Sequence, residues 1–275
     1  MIPLEEKYWK SFSSPYGDSS ELPALLKKLD SNYTEELSNE IFWEYIYHQN
    51  TLYQSTIASF PYLFKIITKE ENKSIRLDGY ISLGVIIAEL DENEVSLNNI
   101  IEDNSYKLDN QTKEVLYISF QKSYKEFKNL LPKLINEAKN LSEDEKRYFL
   151  AVIALYKGNS LIAKMFILFN GNDEYMSICP NCNSELYLWN EENRLNGYIE
   201  DPVFNKIQTP FEIIPKSIDR KKATIQSDNY QEWMIAYIDL LEIDSLKEII
   251  TFLFGDTICP TCKVKYSIFP SVCNA

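Results

Sequence analysis

The chain has 275 residues, of which 45% are hydrophobic and 25% charged, and this composition is typical of a globular protein with one or two domains. Lys and Arg total 28 against 41 Asp and Glu, so the formal net charge of −13 disfavours non-specific nucleic-acid binding and favours a basic partner. The sequence has no membrane-spanning apolar run, no basic-then-apolar leader and no glycine-rich phosphate-binding motif, so we expect a cytoplasmic protein that is not an enzyme.

Helical periodicity runs through the first two thirds of the chain. The predicted helices cover 20–31, 34–48, 51–69, 74–90, 110–128, 130–140, 142–157 and 159–169. The first predicted helix, 20–31, has Ser19 or Ser20 as its expected N-terminal cap, and the helix at 34–48 has Thr34. Capping boxes are predicted for the helix at 51–69, with Thr51 and Gln54, and for the helix at 142–157, with Ser142 and Glu145. Pro61 is expected to kink or split the helix that contains it.

These helices are 11–19 residues long and are joined by short polar turns. Repeated amphipathic pairs of that length indicate an α-solenoid of the HEAT and armadillo class. We therefore predict a mainly α fold with a HEAT-like helical array over residues 1–171.

The pattern changes after residue 171. Tyr, Leu and Ile are frequent at 184–190 and 197–201, which predicts strands, and FEII at 211–214 and KVKYSIF at 263–269 are also strand-like. Helices are predicted again at 229–242 and at 245–254, the second with a Ser245 and Glu248 capping box. We therefore predict a second region, 172–275, in which a small β-containing part holds an inserted helix pair and packs on the array.

Four of the five cysteines form two similar motifs. Cys179 and Cys182 lie in SICPNCNSELYLW, and Cys259 and Cys262 lie in TICPTCKVKYSIF. A Cys-x-x-Cys turn directs two thiolates to the same side, so two such turns can complete a tetrahedron of sulfurs around zinc. The sequence therefore predicts one Zn²⁺ site made of these four cysteines, with residues 183–258 inserted between the two turns.

Three alternatives to zinc stay open, namely two disulfides, a thioredoxin-like redox pair, and four unrelated buried cysteines. If zinc is bound, four thiolates leave no position for a catalytic water, so the metal is expected to be structural. Cys273 is interpreted as a bystander thiol, with a reserve-ligand role as the alternative.

Other polar features indicate structural or surface roles. His48, the single histidine, is expected to interact with the last carbonyl groups of a helix, because no nucleophile or carboxylate partner is evident. The acidic run 89–94 is expected to be an exposed loop and a candidate contact for a basic partner. The basic stretch 216–222 is the main feature that would favour nucleic acid.

Two stretches of the N-terminal half resemble a bacterial family of HEAT-repeat-like proteins. They are PYGD at 15–18 followed by ELPALL at 21–26, and FWEYIYHQNTLY at 42–53 followed by ASFPYL at 58–63. Members of that family carry a pattern like W-x-x-L-x-H-Q-G-T-x-Y and often end in CPxC knuckles; Asn50 stands here where the family has Gly. The resemblance implies an α-solenoid without catalytic activity, in which His48, Gln49 and Thr51 form a corner between helices.

Related proteins of that family are often encoded near toxin systems, which implies an immunity or scaffold role. The leading hypothesis is therefore a non-enzymatic, zinc-containing α-solenoid that binds a basic protein. The alternatives are a zinc-ribbon accessory factor for nucleic acid and an enzyme with an unrecognised carboxylate site.

Overall fold

A computed structural model describes residues 1–49, 51–90, 97–169 and 174–275. It divides the chain into two compact units, Met1–Glu137 and Ala138–Ala275. The boundary therefore lies before the helices at 142–157 and 159–169, whereas the sequence analysis placed it at 171/172. These two helices join the C-terminal unit because they pack on each other and on helices near the end of the chain.

The described part of the chain contains twelve α-helices. The N-terminal unit has α1 (Glu6–Trp9), α2 (Leu22–Ser31), α3 (Glu35–Glu40), α4 (Gln54–Lys69), α5 (Lys73–Glu89), α6 (Leu97–Ile101) and nearly all of α7 (Asn110–Ala138). The C-terminal unit has α8 (Glu143–Tyr156), α9 (Ser160–Leu168), α10 (Tyr230–Leu241), α11 (Asp244–Leu253) and α12 (Ile268–Cys273). The prediction of a mainly α fold is confirmed.

The strands are short and form antiparallel sheets. The N-terminal unit has two hairpins, β1 (Ser13–Ser14) with β2 (Gly17–Asp18), and β3 (Tyr47–His48) with β4 (Thr51–Leu52). The C-terminal unit has two three-stranded sheets. One is formed by β5 (Glu174–Ile178), β6 (Glu185–Glu191) and β7 (Arg194–Tyr198), and the other by β8 (Ile213–Ile214), β9 (Asp256–Ile258) and β10 (Lys265–Ser267).

The core of the N-terminal unit is built around α4, which is buried along most of its length. Phe60 of α4 and Tyr80 of α5 both pack their rings on Phe127 of α7, and the Tyr80 and Phe127 rings are stacked with centroids 4.2 Å apart. Aromatic packing thus joins α7 to the consecutive helices α4 and α5.

Gln54 is a fully buried polar residue at the start of α4. Its side-chain amide donates to the carbonyl oxygens of Ile101 and Tyr106, at 3.0 and 2.9 Å, and its side-chain oxygen accepts from the Ser13 backbone N–H at 3.2 Å. One amide thus connects α4 to the β1 hairpin and to the segment around α6.

Several predicted helix starts are wrong in detail. Neither Ser19 nor Ser20 caps α2, because the residue before the helix is Glu21 and the Ser19 hydroxyl instead donates to the Trp9 and Phe12 carbonyls. Thr51 does not form a capping box with Gln54, because Thr51 pairs in a β-hairpin and α4 begins at Gln54.

Other helix starts are confirmed. Thr34 accepts a hydrogen bond from the Leu37 N–H at the start of α3, and Ser142 and Glu145 form the predicted capping box of α8. The helix predicted at 34–48 changes to π-helical geometry over Ile41–Ile46 and ends before the β3 strand.

Two prolines in helix interiors, the buried Pro61 and the exposed Pro132, do not interrupt their helices. Pro61 lies inside the continuous helix α4, so Pro61 does not split the helix. Pro132 lies inside α7, so the helices predicted at 110–128 and 130–140 are one helix. Proline removes one backbone hydrogen bond, and packing of the buried helix face offsets that loss.

In the C-terminal unit, the start of α11 is capped by another helix. Both the hydroxyl and the backbone N–H of Ser245 donate to the Glu143 carboxylate of α8, at 2.8 and 3.3 Å. The predicted Ser245 and Glu248 capping box is therefore wrong. The end of the predicted strand 263–269 is also wrong, because Ile268 and Phe269 begin α12.

None of the helices in the described part of the chain combines the length and the apolar character needed to cross a lipid bilayer.

Candidate metal centre

Four cysteine sulfurs meet at one point of the C-terminal unit. The Sγ atoms of Cys179, Cys182, Cys259 and Cys262 all lie within 4.8 Å of one another. The Sγ atoms of Cys179 and Cys262 are 3.7 Å apart, and those of Cys182 and Cys259 are also 3.7 Å apart. The four cysteines that the sequence pairs in two motifs are thus brought into a single cluster.

Each Cys-x-x-Cys motif forms a knuckle between two antiparallel strands. The first knuckle, Cys179–Cys182, joins β5 to β6, and the second knuckle, Cys259–Cys262, joins β9 to β10. The strand pairing ends at equivalent positions, Ile178 with Glu185 and Ile258 with Lys265. The sequence similarity of the motifs therefore reflects two hairpins of the same construction.

Backbone hydrogen bonds close both knuckles in the same way. In the first, the Cys179 carbonyl accepts from the Asn183 N–H at 2.9 Å; in the second, the Cys259 carbonyl accepts from the Lys263 N–H at 2.9 Å. Asn183 and Lys263 both have left-handed backbone geometry, with φ of 57° and 63°. This geometry turns the chain so that both sulfurs of a knuckle face the same side.

Hydrogen bonds and burial shift the pKa values of three of the four thiols in different directions. The Ser184 hydroxyl lies 3.1 Å from the Cys182 sulfur and lowers the pKa of Cys182 to about 6. A backbone hydrogen bond from Val264 lowers the pKa of Cys262, whereas burial raises the pKa of Cys179 to about 11. Keeping all four groups as thiolates therefore requires a cation to neutralise them.

A chain of hydroxyl groups supports the cluster from the side of the strands. The Ser271 hydroxyl donates its one hydrogen to the Ile268 carbonyl. It therefore accepts a hydrogen bond from the Ser177 hydroxyl, at 2.6 Å. The Ser177 hydroxyl accepts in turn from the Tyr266 hydroxyl, at 3.2 Å. Ser177 precedes the first knuckle and Tyr266 follows the second. This chain therefore ties the two hairpins together independently of the cysteines.

The sulfur positions fit a tetrahedral metal ion. A Zn–S distance of about 2.3 Å corresponds to about 3.8 Å between sulfurs, close to the two separations of 3.7 Å. A disulfide bond needs about 2.05 Å between its two sulfur atoms. All five cysteines are free thiols here. Each motif also lies between two strands instead of at a strand-to-helix junction, which disfavours a thioredoxin-like pair.

Cys273 lies apart from this cluster. Its sulfur is 3.9 Å from the Met165 sulfur, and burial raises the pKa of Cys273 to about 12. A buried thiol in such surroundings stays protonated and behaves as a small apolar side chain.

His48 belongs to the N-terminal unit and is not part of the cysteine cluster. Its Nδ1 atom is 3.4 Å from the Trp43 carbonyl, and its ring packs edge-on against Tyr16 with centroids 5.5 Å apart. This contact with a helix-end carbonyl is the kind of interaction expected for His48. Gln49 and Thr51 belong to the same β3–β4 hairpin between helices, whereas Asn50 lies outside the described residues.

Two charged stretches complete the predicted candidates. Of the acidic run 89–94, residues 91–94 lie outside the described part of the chain. In the basic stretch 216–222, Arg220 pairs with Asp239, and Lys216 donates to the Gln231 side chain at 2.8 Å. Lys222 also pairs with Asp219 at 3.7 Å, so three of the four basic groups are engaged within the protein itself.

Sequence reasoning identified the four clustered cysteines but missed Ser184, Ser177 and Tyr266. Ser184 follows Cys182 by two residues, so its proximity to a sulfur was a detectable signal. The contact of Ser177 with Tyr266 joins residues from different hairpins and had no local signal.

Comparisons with protein-family models, curated proteins and solved structures find no match to this chain. The function is therefore inferred from the geometry of the cysteine cluster and from the charge of the chain.

Proposed function

We propose that this chain is a zinc-binding protein in which the metal is structural. The observation that supports this proposal is the cluster of four cysteine sulfurs with tetrahedral spacing. Four thiolates occupy every position of a tetrahedral zinc ion, so no position is left for a water or substrate.

The proposed role of the zinc is to fix two hairpins that are far apart in sequence. Cys182 and Cys259 are separated by the whole β6-to-α11 segment, and their sulfurs are nevertheless 3.7 Å apart. A structural zinc site contributes on the order of 10 kcal/mol to folding. The metal would therefore anchor both ends of the inserted segment, whose helices α10 and α11 also bury apolar side chains.

Cobalt substitution tests this proposal. Purified protein is stripped of metal, titrated with Co²⁺ and followed by visible and near-ultraviolet absorption. Tetrahedral thiolate coordination predicts intense thiolate-to-cobalt charge-transfer bands, saturation at one Co²⁺ per chain, and displacement by Zn²⁺. Weak octahedral bands, or saturation at another stoichiometry, would contradict the four-thiolate site.

For the protein as a whole, we propose a non-enzymatic role in binding a basic protein partner, with the helices of the N-terminal half arranged as a HEAT-like solenoid. The net charge of −13 and the predominance of helices support this role. An immunity or scaffold protein acts in this way, by covering or holding its partner.

Native purification from the source cells with identification of co-purifying proteins tests this role. We expect a stoichiometric basic protein whose affinity falls as the salt concentration rises, because salt screens complementary charge. Affinity that does not change with salt would contradict the electrostatic basis. A gel shift with mixed DNA and RNA at low salt would instead support the nucleic-acid alternative.

A further inference from the structure

The loop 199–208 in the C-terminal unit exposes large apolar side chains. Phe204 is 87% exposed and Ile207 is 94% exposed, and Ile199 and Val203 are each more than half exposed. Single exposed apolar residues are common on protein surfaces, but a group of four within nine residues indicates a contact surface. We call residues 199–208 the apolar loop.

The apolar loop has a defined structure that presents these side chains outward. The Asp201 carbonyl accepts from the Phe204 and Asn205 N–H groups, both at 3.0 Å. The Gln208 side chain donates to the carbonyl oxygens of Glu200, at 2.7 Å, and Asn205, at 2.9 Å. Polar side chains thus hold the turn, and the apolar side chains take no part in it.

The N-terminal unit contains an open apolar groove between α4 and α7. Its volume is about 530 Å³, which exceeds the combined volume of a Phe and an Ile side chain. The apolar residues that line it include Pro61, Phe64, Val115 and Ile118, and Ile118 is 58% exposed. We call this the apolar groove.

The charges around the two surfaces are complementary. Lys65, Lys122 and Glu126 line the groove, so its net charge is 2 − 1 = +1, and neither lysine forms an ion pair within the described residues. The loop carries Glu200, Asp201 and Lys206, so its net charge is 1 − 2 = −1. A lipid surface is a poorer match for the loop, because a chain of net charge −13 is repelled by anionic membranes.

We propose that this protein self-associates by inserting the apolar loop of one copy into the apolar groove of a second copy. Phe204 and Ile207 enter the groove, and the acidic residues beside them face Lys65 and Lys122. The two contacting surfaces differ, so the contact is heterologous. This inference does not depend on the metal site or on the basic partner.

Sedimentation velocity of the full-length, metal-loaded protein over a wide concentration range tests the proposal. Two variants remove one surface each: the loop variant Phe204→Ser/Ile207→Ser and the groove variant Ile118→Glu. Leu168→Ser is the matched control, because Leu168 is 60% exposed and belongs to neither surface. The wild-type protein should form dimers or larger species, and each variant should lower the association constant about tenfold or more.

Mixing the two variants gives the decisive result. The loop variant keeps an intact groove and the groove variant keeps an intact loop, so a 1:1 mixture should form a dimer that neither variant forms alone. The proposal is overturned if the wild-type protein stays monomeric, if the mixture stays monomeric, or if Leu168→Ser weakens association equally. Monomeric protein that sediments with phosphatidylcholine vesicles through Phe204 would show a membrane contact instead, and would also overturn it.

Discussion

Gln54 shows how a single polar side chain can organise an apolar unit. It is fully buried, and its three side-chain hydrogen bonds go to residues that lie 41 to 52 positions away in sequence. Buried backbone groups that lose such a partner keep their desolvation cost, which is about 1–3 kcal/mol for each group.

Replacing Gln54 by Leu should therefore destabilise the N-terminal unit by about 3 kcal/mol, because the side chain keeps its size but satisfies none of the three backbone groups. Urea unfolding monitored by circular dichroism measures this change. Gln121→Leu on the exposed face of α7 is the control and should change stability by less than about 0.5 kcal/mol. Equal effects of the two substitutions would show that the Gln54 hydrogen bonds contribute little.

At the scale of residues, the sequence indicated the candidate site where its residues are close together in the chain. The spacing within each CPxC motif was sufficient to nominate Cys179, Cys182, Cys259 and Cys262. Gln54 gave no such signal, because its partners are brought to it only by the packing of α4 against distant segments.

Among the structural elements, the two knuckles adopt one geometry with different residues at the left-handed position. A side chain other than Gly or Asn is disfavoured there, because its β-carbon approaches a backbone carbonyl. Asn183 tolerates this geometry, whereas Lys263 is strained by it, with φ of 63°.

Lys263→Gly should thus stabilise the C-terminal unit by about 0.5–1 kcal/mol, even though it removes the exposed contact between the Lys263 ammonium and the Pro260 carbonyl. Asn183→Gly is the matched variant and should gain less. Thermal unfolding of the zinc-loaded proteins compares them. A larger gain for Asn183→Gly would mean that the two knuckles are not equivalent.

The contact between α8 and α11 makes the stability of the C-terminal unit depend on pH. Burial opposes ionisation of Glu143, but hydrogen bonds from Ser245 and the Asp244 backbone outweigh it and hold the pKa of Glu143 below its usual 4.5. A carboxylate whose pKa is lowered in the folded state stabilises the folded state when the pH is above the unfolded-state pKa. That stabilisation is lost as the pH falls through the folded-state value.

Glu143→Gln should cost about 1 kcal/mol at pH 7, and the difference from the wild-type protein should disappear at an acid pH well below 4.5, where the Glu143 carboxyl is protonated in the folded state as well. Glu248→Gln, which alters the other carboxylate once expected to cap this helix, should have little effect at either pH. Urea unfolding at the two pH values measures both variants. A cost for Glu143→Gln that persists at acid pH would contradict the role of its charge.

The sequence predicted most helices of ten residues or more, because their apolar periodicity reflects burial on one face. It was less successful at their ends. Thr51 and Ser245 have the right spacing for helix caps. Thr51 instead pairs with His48 in a β-hairpin, and Ser245 donates to the Glu143 carboxylate of α8. Tertiary contacts decide such boundaries, and local patterns do not contain them.

In the whole molecule, the chain forms two units, and the proposed zinc site belongs entirely to the second. Removal of the metal should therefore increase amide hydrogen exchange in β5, β6, β9 and β10, while α4 and α5 keep their protection. Hydrogen-exchange mass spectrometry before and after chelation measures this. A uniform increase in both units would contradict a locally acting metal.

The boundary between these units was not evident in the sequence. Helical periodicity is the same in α7, α8 and α9, so it gave no reason to divide the chain at Glu137/Ala138. Only the packing of α8 on α10 and of α9 on α12 assigns these helices to the C-terminal unit. Composition changed later, near residue 171, where the strands begin.

Metal content per chain tests the central claim most directly. Inductively coupled plasma mass spectrometry of the purified proteins should find one zinc per chain in the wild-type protein and in Cys273→Ser. It should find almost no zinc in Cys259→Ser. The reason is that Cys259 completes the tetrahedron, whereas Cys273 lies apart from it. A Cys259→Ser protein with a full zinc content, or a wild-type protein that holds iron in place of zinc, would contradict the four-thiolate zinc site.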